Sequence, residues 1–461
     1  MARSDRVIGG FPVGRKIHTG GMAHLYETSH PDYPFPLLLK VPRLAEGEDP
    51  AAIVGFEMEQ LILPRLSGPH VPRFVALGHE PIPFIVMERI AGASLLGRLR
   101  DLPLPPEEVA AIGAKVADAL DSLHRQGCVH LDIKPSNILI ADSDGRAVLV
   151  DFGLAHHARL PDLMSEEFRL PYGTAPYMAP EQVLGVRGDP ASDIFALGAL
   201  LYFFATHVRP FGDPASLKGL KARIWSDPLP PRAREAAIPP WLQEVILRCL
   251  EVEPARRFPT AAQLAWALRH PDQLVLTERA RRLRRSPWTE RLRRRLRLHE
   301  TAAKLRRPIP QGAEAEAPIV AVALDLDELP EALSEALQRT VRHVMSALPG
   351  ARLACIHVLK QHLVRADTTL DEEGRNKHLQ RLIGLRHWAR PLGLPEERLT
   401  HHVLEAVSPA AALIEFAQQN RVDHIVMGAR SASFTRRMLG SVAAEVARDA
   451  PCTVTVVRAR P

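Results

Sequence analysis

Between His130 and Asn137 the chain reads His-Leu-Asp-Ile-Lys-Pro-Ser-Asn, which places a carboxylate, an ammonium and an amide close together on one short loop. Asp151 follows at the head of Asp151-Phe152-Gly153, directly after the apolar run Ala147 to Val150. Moving a phosphoryl group needs one group to orient the nucleophile, others to hold metal, and a cation to neutralise phosphate charge. Asp132 can accept from or orient a hydroxyl, and Asn137 can reach a metal from the same loop. The Asp151 carboxylate is the natural second metal ligand, and Lys134, between base and ligand, can meet the phosphate in transfer. Any one of these motifs arises by chance; the ordered set does not.

With these residues the sequence resembles the eukaryotic-like protein kinase family over about residues 11–270, because several separate motifs occur in the family's order. The resemblance implies a bilobal α+β fold, ATP with Mg2+ or Mn2+, and Asp132 and Lys134 as catalytic residues. Lys40, closing Leu37-Leu38-Leu39-Lys40, is similar to the lysine that binds α- and β-phosphates, and Glu59 to its partner on the following helix. Met87-Glu88-Arg89-Ile90 resembles the hinge, where backbone groups around Glu88 and Ile90 would bind adenine. Gly173 to Glu181 resembles the end of an activation segment, Asp193 and Gly198 an anchor helix, and Arg257 the partner of Glu181. Lys134 and Thr174 resemble the serine/threonine branch. Two departures stand out. The glycine-rich loop reads His18-Thr19-Gly20-Gly21-Met22-Ala23, so that Gly20 and Gly21 remain while His18 and Ala23 replace glycine. Glycine lets a backbone approach phosphates with no side chain in the way, and Ala23 adds only a methyl. The second departure is Leu131, where family members switched by activation-segment phosphorylation carry an Arg that pairs with the phosphate. Phosphorylation of the segment, for example at Ser165, is therefore not expected to switch activity by that route.

The elements that must position these groups show in the hydrophobic pattern. Pro36 to Val41 and Phe84 to Met87 read as strands, while Val109, Ile112, Val116, Leu120 and Leu123 have helical spacing. Strands followed by helices imply a small β-rich lobe and a larger α-rich one. The length, 461 residues, calls for two or three domains. A chain that is 46% hydrophobic and 24% charged is of ordinary globular composition. Cys128, Cys249, Cys355 and Cys452 lie too far apart for zinc-type pairing, and a reducing cytoplasm suits them. Met1 to Gly20 lacks a secretory pattern, and Ile194 to Val208 is shorter than the roughly 20 apolar residues of a bilayer span.

From residue 318 strand and helix patterns alternate, the signature of a parallel sheet with covering helices. A helix is expected over Asp371 to Arg390. Asp325 ends the first strand, Gly428 ends a later one, and Gly440-Ser441 opens a helix, where phosphate is favoured. On Val322-Ala323-Leu324-Asp325, Asp423 to Gly428, Leu439 to Val442 and Ala450 to Val457, residues 318–461 resemble the universal stress protein family. That resemblance implies a five-stranded parallel α/β fold. It also implies a candidate nucleotide site at Asp325, Gly428, Gly440 and Ser441, and a homodimer through the last strand, Thr453 to Val457. The family's nucleotide-binding pattern is altered here: Ser431 stands for a glycine, and the spacing to Gly440 is one residue short.

Between the two, residues 271–317 form an Arg-rich connector. Thr277 to Arg307 holds 12 Arg and one Lys against three Glu, a net of +10, so the rest of the chain carries −4 within a total of +6. The basic balance therefore belongs to one segment, which suits a solvated helix, a membrane surface, nucleic acid or an acidic partner. The expected whole is a Ser/Thr kinase that acts on protein hydroxyls and on itself, coupled to a stress-sensing second domain. The competing expectation is a nucleotide-binding scaffold with little catalysis.

Overall fold

The computed structural model describes residues 6–458 apart from 21–22, 44–49, 81, 169, 306–316, 362–368, 372–373 and 430–439. The small lobe is an antiparallel sheet of β1 (Lys16–Thr19), β2 (Ala23–Thr28), β3 (Leu37–Pro42), β4 (Phe74–Gly78) and β5 (Phe84–Glu88), in the order β1-β2-β3-β5-β4. Alternation on β3 buries Leu37, Leu39 and Val41 with Ile8, Phe84 and Val86. Between β3 and β4 runs α1 (Pro50–Ile62), in which every residue from Ala51 to Gln60 is buried. A helix enclosed on all sides must have neighbours on all sides.

The large lobe is mostly helical. Its helix α2 (Pro106–His124) starts with Pro106 at the first position and Glu107 and Glu108 in the first turn, a favourable helix start. A short antiparallel pair, β6 (Ile138–Ala141) and β7 (Ala147–Leu149), frames the catalytic loop and Asp151. The activation segment then carries α3 (Leu163–Glu167), capped by Asp162, and ends in α4 (Pro180–Val183). The buried α5 (Ala191–Thr206) packs against α6 (Pro240–Cys249). Gly198 permits that approach, since a Cβ there would lie 2.4 Å from Cys249 Cβ. Helix α7 (Ala261–Arg269) lies on α2 and completes the core.

In the connector, α8 (Trp288–Leu296) is held to the large lobe by Arg294, which reaches Asp227 at 2.5 Å; Arg282, ahead of the helix, meets the same carboxylate at 3.0 Å. Trp288, Leu292 and Leu296 face outward, and Trp288 is 69% exposed.

The second domain orders its parallel strands β10-β9-β8-β11-β12. These are β8 (Ile319–Ala323), β9 (Arg352–Lys360), β10 (Leu399–Ala406), β11 (His424–Gly428) and β12 (Thr453–Val457). Helices α9 (Glu331–Ala347) and α10 (Lys377–Ala389) cover one face, and α11 (Pro409–Gln419) and α12 (Ser441–Asp449) the other. The expected helix from Asp371 begins only at Lys377. Gly374, at φ 74°, closes a turn in which Asp371 accepts from the Arg375 N–H, and Asn376 then caps α10.

The two domains are in contact. Ile53 of α1 is part of the second domain's apolar core, and β10 and α11 lie against α3.

Candidate active site

The catalytic loop is held by a strained backbone with dedicated partners. Leu131 sits at φ 63° and Asp151 at φ 69°, the left-handed region that costs an ordinary residue about 1–2 kcal/mol. Asp193, wholly buried at the start of α5, accepts from the N–H groups of His130 and Leu131, each at 2.8 Å. Gln182 donates to the Leu131 carbonyl at 2.8 Å. Burial would raise the Asp193 carboxyl, but His124, 2.9 Å away, outweighs it and keeps the pKa low. The Leu131 side chain is itself buried and carries no charge to offer a phosphate.

This support leaves the Asp132 carboxylate facing four donors. Oδ1 accepts from the Thr174 hydroxyl at 2.7 Å and its N–H at 3.1 Å. Oδ2 meets Lys134 Nζ at 2.6 Å and accepts from the Asn137 amide at 3.0 Å. Thr174 thus joins the site as a direct partner of Asp132, a role the sequence reading did not give it. Opposite stands the small lobe's cation. Lys40 on β3 pairs with Glu59 of α1 and lies 2.9 Å from Asp151 Oδ1. Burial lowers an ammonium pKa, yet here the carboxylates of Asp151 and Glu59 prevail and raise it. The same contact pulls Asp151 down, against the opposing effect of its burial. Phe152 is buried and lies 5.3 Å from the His130 ring, whose Nε2 is 3.1 Å from the Val150 carbonyl.

At the cleft's mouth, the Gly20 N–H donates to the Ala23 carbonyl at 2.9 Å, while Gly21 lies outside the described residues. Ala23 is buried and His18 exposed, so the methyl of one points into the lobe and the imidazole of the other is in solvent. Glu88 ends β5, opposite Leu37, and its N–H donates to the Arg73 carbonyl at 2.8 Å; Ile90 lies two residues on. A divalent cation fits the donor set: Asp151 offers a carboxylate and Asn137 an amide oxygen, hard ligands of the kind Mg2+ takes.

The second domain's candidate residues lie at the strand carboxyl ends where strand order reverses between β8 and β11, and at the start of α12. Asp325 follows β8, Gly428 ends β11, and Gly440 and Ser441 start α12. Gly428 has a packing reason to be glycine, because a Cβ there would lie 2.9 Å from Leu333 Cδ2. Ser431, in the same pattern, falls outside the described residues.

Charged groups from the second domain meet α1 and α3. Arg386 of α10 pairs with the buried Glu57 and lies 3.0 Å from His79 Nε2. Arg352 grips Glu166 with both terminal nitrogens, at 2.8 and 3.1 Å. His402, wholly buried, places Nδ1 2.9 Å from Glu167 and Nε2 3.2 Å from Glu166. These carboxylates push the His402 pKa up to about 9 despite burial, which acts to lower it. Glu166, whose burial would raise it, is brought down to about 2 by His402 and Arg352. None of these residues stands in a recognisable motif.

Comparison with known proteins places this geometry. A model described as protein kinase domain matches residues 12–271, and one described as universal stress protein family matches residues 318–458. Serine/threonine-protein kinase PknB of Mycobacterium leprae (strain TN) is 30% identical over 267 residues, 57% of this chain and 42% of that protein. Serine/threonine-protein kinase PknL of Mycobacterium tuberculosis (strain ATCC 25618 / H37Rv) is 33% identical over 275 residues, 58% of this chain and 67% of that protein. The match thus spans less than half the length of PknB. Among solved structures, the kinase domain of Mycobacterium tuberculosis PknI aligns with a TM-score of 0.46 and 27% identity, over 59% of this chain and 99% of that one.

Proposed function

The chain belongs to the protein kinase family and carries a universal stress protein domain, and we propose that it transfers the γ-phosphoryl group of ATP to Ser and Thr hydroxyls of proteins. One observation carries this reading: Asp132, Lys134, Asn137 and Thr174 form a single hydrogen-bonded group, with Lys40, Glu59 and Asp151 already paired across the cleft. In the proposed reaction Asp132 orients the acceptor hydroxyl and takes its proton as the Oγ–P bond forms. The bond from the γ-phosphorus to the bridging oxygen breaks, and ADP leaves. Lys134 offsets charge on the phosphoryl oxygens, and Lys40 holds the α- and β-phosphates. The hinge around Glu88 and Ile90 receives adenine, and the loop that carries Gly20 and Ala23 covers the phosphates. Mg2+, held by Asp151 and Asn137, would supply charge neutralisation between the phosphates.

The same reading extends to the rest of the chain. The reading includes autophosphorylation, with the chain's own Ser and Thr hydroxyls as acceptors. The universal stress protein domain acts as the regulatory module of a stress-signalling kinase in the cytoplasm. Strand β12 is an edge of its sheet and is proposed to pair with a second copy. Among the described residues no helix is long and apolar enough to cross a membrane. The outward side of α8 supports contact with an anionic lipid surface. Its apolar residues Trp288, Leu292 and Leu296 are turned away from the lobe and flanked by exposed Arg293 and Arg295.

The test is phosphate transfer from labelled ATP by the purified full chain to itself and to a basic Ser-containing peptide. Transfer that disappears in Asp132→Asn is the expected result. Nucleotide binding with no transfer by the unaltered protein would replace this reading with that of a scaffold.

A further inference from the structure

The helix that supplies Glu59 is buried on both sides, and a different domain provides each side. Glu59 points to Lys40 in the cleft, whereas Glu57 and Ile53 meet the second domain. Beside it, α3 of the activation segment packs on α1 and turns Glu166 and Glu167 to the same partner. The second domain therefore touches the two elements whose placement determines whether the cleft is assembled. It does so through buried ion pairs, with Glu57 4% exposed and His402 0%, ringed by the exposed pairs His387–Glu80 and Arg65–Glu397.

The cleft beneath this contact is in working order, with Lys40 on Glu59 and Thr174 on Asp132. The usual internal anchor for an activation segment is missing, since Leu131 occupies the Arg position and is buried. Within the kinase domain Arg187 holds the α3 cap Asp162 at 2.7 Å and Thr174 meets Asp132, and a further anchor comes from the segment's own acidic residues and the other domain's basic ones. Glu166 receives a two-pronged contact from Arg352, and the Asn420 amide donates to the Glu166 carbonyl at 3.3 Å. A forked Arg–carboxylate contact fixes orientation as well as distance.

We propose that the universal stress protein domain supplies positioning residues for phosphoryl transfer: Arg386 fixes α1 through Glu57, and Arg352 with His402 fixes the activation segment through Glu166 and Glu167. The inference rests on the kinase reading above and adds to it a part in cis that promotes activity. None of these residues touches nucleotide or acceptor; each acts through Glu59, or through the segment that brings Thr174 to Asp132.

A charge exchange in the full-length protein tests it. Glu57→Arg and Arg386→Glu, made singly, should each lower kcat for a basic Ser-containing peptide about tenfold or more, because small misplacements of catalytic groups are costly. Together they should restore most of it: Arg at 57 keeps a carboxylate partner at 386, and Glu at 386 faces His79. Arg352→Ala should act like the single variants, and Arg352→Lys should rescue only in part, lacking the fork. Hydrogen exchange over residues 53–60 and 163–167 should rise in the single variants and fall back in the double. Where a charge reversal does not fold, Arg386→Gln is read by the same assays. Unchanged kcat in single variants whose exchange shows the contact loosened overturns the inference. So does a rise in kcat, which would make the contact a restraint, or a folded double variant as slow as the singles. Unaltered protein that transfers no phosphate overturns the kinase reading and this inference with it, an outcome distinct from the others.

Discussion

The molecule offers two places where a nucleotide could bind, and they are built differently. In the kinase cleft the charged side chains already hold one another: Lys40 lies between Glu59 and Asp151, and Asp132 between Thr174, Lys134 and Asn137. At the strand ends of the second domain, Asp325 and Ser441 sit on opposite sides of a topological switch point, and Gly428 lies under Leu333. A preorganised site pays little for ordering when its ligand arrives, and this electrostatic preorganisation is where catalytic power is concentrated. The contrast is between a cleft that holds the paired groups phosphoryl transfer needs and a strand-end crevice that offers one carboxylate, one hydroxyl and a helix start.

The largest effect should fall on the chemistry. Asp132→Asn is expected to lower transfer by a factor on the order of 10³ while leaving nucleotide affinity nearly intact, since general-base assistance and orientation are lost together. Single-turnover transfer alongside nucleotide titration separates the two; loss of both would mean that Asp132 holds the loop rather than serving the reaction. Lys40→Met should cost about 10²-fold in transfer and also weaken nucleotide binding. It leaves the buried Glu59 without its cation, a change that typically destabilises by about 3–5 kcal/mol. Thermal unfolding reports that second part.

A smaller effect concerns the contact between domains and its dependence on pH. His402 faces Glu166 and Glu167 on α3, with Arg352 on Glu166, Thr400 beside its ring and His401 adjacent in the chain. Its pKa, ordinarily 6.5, is about 9 in the folded protein. The stability it contributes is complete below 6.5 and is lost as pH rises through about 9. For Glu166 the ordinary value of 4.5 falls to about 2, so its contribution is present above 4.5 and lost as pH falls through 2. Both are fully in place between 4.5 and 6.5. Exchange protection of residues 163–167 should therefore be greater at pH 6.5 than at pH 9.5, and His402→Gln should flatten that difference. The smallest effect belongs to the second site. Titration of nucleotide is expected to show one tight site per chain and a weaker one sensitive to Asp325→Ala. Two equally tight sites would erase the contrast drawn above.

The cleft was legible because its residues lie in contiguous motifs whose order carries information; His130 to Asn137 and Asp151 to Gly153 needed only local reading. Thr174 was visible as a branch marker, but its bond to Asp132 depends on how the activation segment folds back. The second domain's alternation gave its strands, whereas the turn at Gly374, which delays α10, escaped the helical pattern. The contact between domains was not legible. Glu57 and Arg386 are charged residues 329 positions apart, of types that elsewhere sit on solvated surfaces. One trace of it did exist: Pro50 to Ile62 is apolar on more sides than a surface helix needs. Weighing that excess would have called for a partner on the outer side of α1.

Two positions along an α-helix amount to a turn of about 200°, which is how Glu57 and Glu59 come to face away from each other. The consequence is thermodynamic reciprocity. If docking of the second domain favours the arrangement in which Glu59 meets Lys40, then nucleotide that binds best to that arrangement must strengthen docking by the same factor. The stress protein domain would then report on its own cleft as well as govern it. Anything competing for the surface that holds Glu57, Glu166 and Glu167 would find it most accessible when the cell's ATP runs low.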